Sequence, residues 1–141
     1  MTYKNSLIFL LLLFSLFTNF CYARWQKLSG GGDSDYTQFF ESDSLKITDD
    51  GKWRIWELID YKNPKMGKNG EIARSSKQYW EIDCKEYQIK LITGSWFTGQ
   101  MSSGQSLGTV RSGEYDHIQP GSIADGLAIP LCTPEKISKP K

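Results

Sequence analysis

From residue 36 onward, apolar and polar side chains alternate repeatedly with a period of two. That is the spacing of a β-strand with one buried face. Residues 36–40 (YTQFF) and 44–48 (SLKIT) are short candidate strands, and Asp-Asp-Gly at 49–51 is a hairpin signal, because Gly51 accepts positive φ. The strongest strand pattern is KWRIWELIDYK at 52–62. Trp53, Ile55, Ile59 and Tyr61 fall on one side of it, and Trp56 and Leu58 on the other with Arg54 and Asp60. Apolar residues on both sides predict a central strand covered twice, or a sheet that curls.

Residues 63–71 (NPKMGKNGE) read as a loop, since Asn-Pro and Asn-Gly both mark turns. The lysines gathered at 62–68 around Pro64 and Gly67 then belong to a solvated loop. Two more strands follow at 75–84 and 86–97. Trp80, Ile82 and Cys84 share a face of the first, while Tyr87, Ile89 and Leu91 alternate with Gln88 and Lys90 in the second. The Gly/Ser-rich stretch 98–110 predicts a turn and an edge strand. At 120–132 the period changes to that of a helix, with Ile123, Leu127, Ala128 and Leu131 recurring on one face. Ser122 is placed to cap it, with Asp125 as a weaker capping-box partner. Gly126 weakens this helix, and Pro130 predicts an end or a distortion of its last turn.

The beginning of the chain follows a different logic. Lys4, an uninterrupted apolar run at 7–17 and a small residue at Ala23 give the charged, apolar and cleavage-site order of a secretory signal peptide. The run is shorter than the roughly 20 residues a spanning helix needs, and Thr18 and Asn19 break its extension. Residues 1–23 are accordingly read as a signal peptide, 24–35 as an N-terminal segment with a glycine-rich linker, 36–133 as one small domain and 134–141 as a flexible tail. The mature chain then has no membrane span. The glycines at 30–32 lack the preceding strand, following helix and Lys-Ser/Thr ending of a phosphate loop.

Export changes the reading of the cysteines. Cys21 leaves with the signal, and nothing before it resembles a lipidation site. Cys84 taken alone could be packing, a nucleophile, a metal ligand or half of a disulfide. With Cys132 as its one remaining companion in an oxidising compartment, a Cys84–Cys132 disulfide is the default, worth about 4 kcal/mol in the chain-entropy account of so long a loop. A formal net charge of +1 at pH 7 offers no footprint for nucleic acid and no broad basic face for anionic lipid.

Candidate chemistry is sparse. His117 is the single histidine, and no Gly-x-Ser-x-Gly elbow accompanies it, so nucleophile–base catalysis lacks its parts. Glu81 and Asp83 lie on one strand face about 7 Å apart. That suits acid/base work on a glycan, although the solvent face of an alternating strand explains them more simply. No metal-ligand set, calcium-loop pattern or cofactor motif stands out. The chain does carry five tryptophans, most of which a small core would use. Trp96 and Phe97 sit beside the glycine-rich turn and face opposite ways on a strand; they are the candidate partner-binding residues.

Taken in order, Trp25, SDSLKITDDGKWRIWELIDYK, SSKQYWEIDC and QPGSIADGLAIPLC resemble the bacterial surface-adhesin protein E family. The resemblance runs over Trp56-Glu57-Leu58, Ile82-Asp83-Cys84, Pro120-Gly121-Ser122 and Cys132, from about Trp25 to Cys132. Two positions depart from it: Glu41 stands where members usually have Asp, and Tyr115-Asp116-His117 where a tryptophan usually precedes Pro-Gly-Ser. The resemblance implies an α+β fold, a single small domain with a rolled antiparallel β-sheet and a C-terminal helix tied to it by the disulfide. For function it implies an exported, non-enzymatic binding protein of the Gram-negative envelope, in the periplasm or on the outer surface. Its partner would be a protein, with host matrix or serum proteins as the adhesin case. The alternative is a periplasmic inhibitor or envelope-maintenance protein presenting the loop TGQMSSGQSLG. No ligand-binding motif of the family carries over residue by residue.

Overall fold

The strand with two apolar sides lies in the middle of the sheet. The computed structural model describes residues 25–28, 35–67, 69–111 and 113–133. The signal-peptide reading of 1–23, the glycine run and the tail at 134–141 lie outside these residues. Eight strands among the described residues form one antiparallel sheet: β1 (Trp25–Lys27), β2 (Tyr36–Glu41), β3 (Lys46–Ile47), β4 (Trp53–Met66), β5 (Ile72–Asp83), β6 (Gln88–Phe97), β7 (Ser106–Val110) and β8 (Tyr115–His117). The order is β1-β2-β4-β5-β6-β7, with β3 beside β4 and β8 beside β6. One helix follows, α1 (Ile123–Cys132).

Three boundaries differ from expectation. Trp25–Lys27 pairs with β2 in the register Trp25↔Glu41, so the sheet begins before the glycine run; three residues are too few to show a period. Of the strand expected at 44–48 only Lys46–Ile47 remains, because Ser42–Ser44 forms a 3₁₀ turn. The first four residues of the loop expected at 63–71 belong to β4, which runs to Met66, and the rest form the turn before β5. Between Asp60↔Ser75 and Lys65↔Ala73 the register slips, so β4 bulges there. Pro64 sits in that bulge, where its missing N–H breaks no ladder bond. The remaining turn is closed by Gly67 N–H donating to Glu71 O at 2.8 Å.

One sheet face packs under α1. Ile55, Ile82 and Ile89 join Ile118, Leu127 and Ala128 in a buried cluster. Leu58, on the opposite face of β4, is also fully buried, and beside it Trp56 stacks on Tyr79 at 4.8 Å. Lys77 Nζ lies 4.7 Å from the Trp56 ring and 5.4 Å from Trp25. The central strand is thus covered twice, as its two-sided pattern requires in a curling sheet.

The helix starts and ends on named contacts. Ser122 Oγ accepts from Asp125 N–H at 3.1 Å, and the Asp125 carboxylate accepts from Gly121 N–H at 2.8 Å and from the Tyr87 hydroxyl. The Tyr87 bond holds the Asp125 pKa below its usual value, and the same bond pushes Tyr87 up to about 12. Of the two effects expected of Pro130, an end to the helix does not occur: α1 runs through it to Cys132. Only one hydrogen bond is lost so near the end, Thr133 N–H still reaches Ile129 O at 3.1 Å, and the disulfide holds the last turn on the sheet. Cys84 and Cys132 are bonded, with Cα atoms 5.2 Å apart and a sequence separation of 48.

Gly126, which weakens the helix in isolation, permits its close approach: a Cβ there would stand 3.0 Å from Gln38 Oε1. Gln38 is buried and donates through Nε2 to Glu57 Oε1 at 2.5 Å and to Ile123 O at 2.9 Å. Trp80 Nε1 donates to Glu57 Oε2 at 2.7 Å. The network joins β2, β4, β5 and α1 without a cation. Burial outweighs its two hydrogen bonds and raises the Glu57 pKa from 4.5 to about 7.

This gives a pH dependence with a definite sign. The folded state holds the Glu57 proton more tightly than the unfolded chain does, so the contribution is fully present below pH about 4.5 and is lost as pH rises through about 7. Urea midpoints measured across that window should fall as pH rises, and Glu57→Gln should flatten the decline. An unchanged slope in the variant would remove Glu57 as its source.

Candidate functional site

β5 outruns β6. The ladder between them ends at Ser75↔Phe97, so residues 72–74 of β5 have β4 on one side and no strand on the other among the described residues. Nearby, β7 is the last strand in the sheet order. Between the end of the β4–β5 hairpin and β7 lies a groove of about 300 Å³ lined by Met66, Ala73, Trp96, Leu107 and Val110. Of these, Met66 is 78 % exposed and Val110 45 %, and Ile72, the partner of Met66 in the ladder, is 50 % exposed.

Trp96 pairs with Ser76 on one side and Gly108 on the other. Gly108 takes φ +134°, a conformation side chains disfavour, and the ladder bulges beside it between Trp96 and Phe97. The bulge opens the backbone next to the indole. Phe97 pairs with Ser75 and Ser106 and points to the opposite side. Of the two candidate aromatics, both half-buried, only Trp96 lines the groove.

The groove also carries charge in its lining. Lys65 lines it, with its Nζ 6.0 Å from the Tyr61 ring. Arg111 follows Val110, Arg74 follows Ala73, and both are exposed with no ion pair among the described residues. The acid of the lining, Glu71, turns back to accept from Asn69 N–H at 3.0 Å.

The loop between β6 and β7 is folded back on the sheet. Thr98 N–H donates to Gln105 O and Gly99 N–H to Ser103 O, each at 3.0 Å. The buried Ser75 hydroxyl donates to Gly99 O at 2.6 Å and accepts from Ser102 N–H at 2.9 Å, while Asp60 Oδ1 accepts from Met101 N–H at 2.9 Å. Met101 remains 43 % exposed.

The residues weighed for catalysis are dispersed. Glu81 is not on a solvent face: it is 4 % exposed, because Tyr115 of β8 donates to it and Arg54 and Lys90 pair with it at 2.6 and 2.5 Å. Burial opposes its charge, but Lys90, the Tyr115 hydroxyl and Arg54 outweigh it and lower the pKa to about 2. Asp83 Oδ1 accepts from Lys85 and Glu86 N–H in the following turn. His117 is exposed on β8, opposite Gln88. Among the described residues no group of three His, Cys, Asp or Glu could hold a metal ion.

The model of one protein family, described as surface-adhesin protein E, matches residues 25–133, from β1 to the residue closing α1. The chain belongs to the surface-adhesin protein E family. Solved structures of Haemophilus influenzae protein E share its fold. One crystal form has a TM-score of 0.55 at 13 % identity, covering 78 % of this chain and 96 % of that one. Another structure gives 0.54 at 13 %, covering 82 % and 98 %. Protein E from a non-typeable strain gives 0.50 at 14 %, covering 77 % and 84 %. No curated protein matches the sequence.

Met66, Ile72 and Val110 escaped the sequence reading. Met66 falls in the stretch 63–71 that reads as a loop, Ile72 lies between that loop and the next strand pattern, and an isolated apolar residue in an edge strand carries no signal of its own. Ser75 anchors the loop between β6 and β7. Ser75→Ala should cost about 1–3 kcal/mol through its two lost hydrogen bonds and raise amide exchange at Ser102 while leaving exchange in β4 unchanged. Protection at Ser102 equal to the parent's would mean that the loop stands without this anchor.

Proposed function

We propose that this member of the surface-adhesin protein E family is an exported, non-enzymatic binding protein that engages a host matrix or serum protein at the Trp96 groove. The observation that supports this most directly is the groove in which exposed Met66 and Val110 stand with the half-buried indole of Trp96, since exposed apolar groups around an aromatic anchor suit protein contact. No helix among the described residues is long and apolar enough to cross a membrane. A second reading draws on the tethered loop 98–105, whose bonds to Ser75 and Asp60 suit a rigid inhibitory loop in the periplasm.

Exported protein should bind immobilised extracellular-matrix proteins. Trp96→Ala should weaken binding about tenfold or more with an unchanged circular dichroism spectrum. Protease shaving of intact cells, with a periplasmic protein as leakage control, separates the two readings. Loss of the protein while the control survives supports the adhesin. Protection until the outer membrane is opened favours the periplasmic reading, and matrix binding indifferent to Trp96→Ala removes the groove from either.

A further inference from the structure

Two methionines follow Met1 in the chain, Met66 and Met101, and the fold treats them differently. Met66 is the last residue of β4 and pairs with Ile72 across the hairpin. It lines the groove with Trp96, Leu107 and Val110, yet it is 78 % exposed. Met101 is 43 % exposed and stands in the loop outside the groove's lining, its N–H held by Asp60 Oδ1 at 2.9 Å. The other sulfur atoms of the described residues, Cys84 and Cys132, are bonded to each other, so no thiol there competes for an oxidant. A thioether is apolar and adaptable, which suits it to a contact surface. It is also readily oxidised, and one open to solvent meets the oxidant first.

We infer that Met66 is an oxidation site through which hydrogen peroxide switches the Trp96 groove from apolar to polar. Its effect on a partner rests on the groove being the binding site proposed above. The Met66 sulfur attacks one peroxide oxygen with its lone pair, the S–O bond forms as the O–O bond breaks, and the leaving hydroxide takes the proton of the transferred hydroxyl. Sulfur is oxidised by two electrons to the sulfoxide, and the peroxide is reduced to water. A polar S=O group then stands where an apolar contact stood, and covering it with an apolar partner group strips it of water. Met66 is held in place by main-chain pairing with Ile72, so the change is confined to the side chain and the sheet is undisturbed. A methionine sulfoxide reductase restores the thioether, two of its thiols becoming a disulfide as the oxygen leaves in water.

Exported protein treated with graded hydrogen peroxide and mapped by peptide mass spectrometry should form Met66 sulfoxide about twofold faster than Met101 sulfoxide, or more. The Trp96 indole N–H and the amides of residues 107–110 should shift, while the circular dichroism spectrum is unchanged. Binding to immobilised extracellular-matrix proteins should weaken about tenfold and return after treatment with methionine sulfoxide reductase. Met66→Leu, whatever its own affinity, should bind equally before and after peroxide, whereas Met101→Leu should keep the parent's response. Equal or slower oxidation of Met66, an unmoved Trp96 indole, or a Met66→Leu variant that still responds overturns the inference. Binding that needs Trp96 but ignores Met66 oxidation overturns it too and leaves the proposed function standing. Binding indifferent to Trp96→Ala removes the proposed function instead, and the oxidation order and the indole shift then decide whether Met66 switches the groove.

Discussion

The seam between helix and sheet is the contact on which the remaining architecture depends. At the N-terminal end of α1, one buried glutamine amide, Gln38, donates to a helix carbonyl and to Glu57 at the same time. At the C-terminal end the Cys84–Cys132 disulfide closes the seam covalently, and Tyr87 bonded to Asp125 reinforces the first turn. A ten-residue helix fixed in this way covers the part of the sheet that carries Ile55, Ile82 and Ile89. The end carrying Trp96 is left to loops and strand edges.

Glu57 and Glu81 show how surroundings decide what a buried carboxylate does. Glu57 has an amide and an indole for company and no cation, so desolvation dominates and its proton is held to about pH 7. Glu81 lies on the other side of the sheet, where Lys90, Tyr115 and Arg54 outweigh its burial and keep it ionised down to about 2. Its contribution to stability is present above the unfolded pKa and lost as pH falls toward 2. Lys52 and Lys90 also flank the Tyr115 ring at 4.9 and 4.6 Å, so the charged cluster holds β8 against the sheet. Glu81 ties β4, β6 and β8 together through Arg54, Lys90 and Tyr115.

The groove arises from mismatched strand lengths. β4 and β5 continue past the end of β6 because the bulge around Pro64 keeps β4 in the ladder without its missing N–H. The next loop is then drawn back by Ser75 and Asp60 instead of covering the overhang. Apolar side chains on the overhang therefore stay in solvent. That sheet and helix are shared with Haemophilus influenzae protein E at 13 % identity.

Much of this was determined by local pattern. Alternation located β4, β5 and β6, the helical spacing after Ser122 located α1, and two cysteines in a chain read as exported implied their pairing. Such features repeat over many residues or rest on chemistry that needs no partner's position. What only the tertiary structure decided depends on neighbours distant in sequence. Trp25–Lys27 became a strand because β2 was there to pair with it. Pro64 stayed in a strand because the ladder bulged around it. Glu81 was buried by a tyrosine 34 positions away, and Met66 and Val110 came to line one groove only when β7 folded beside the hairpin. Periodicity says which side of a strand a residue faces; what stands on that side is set by the fold, because burial belongs to the assembled surface and not to the segment.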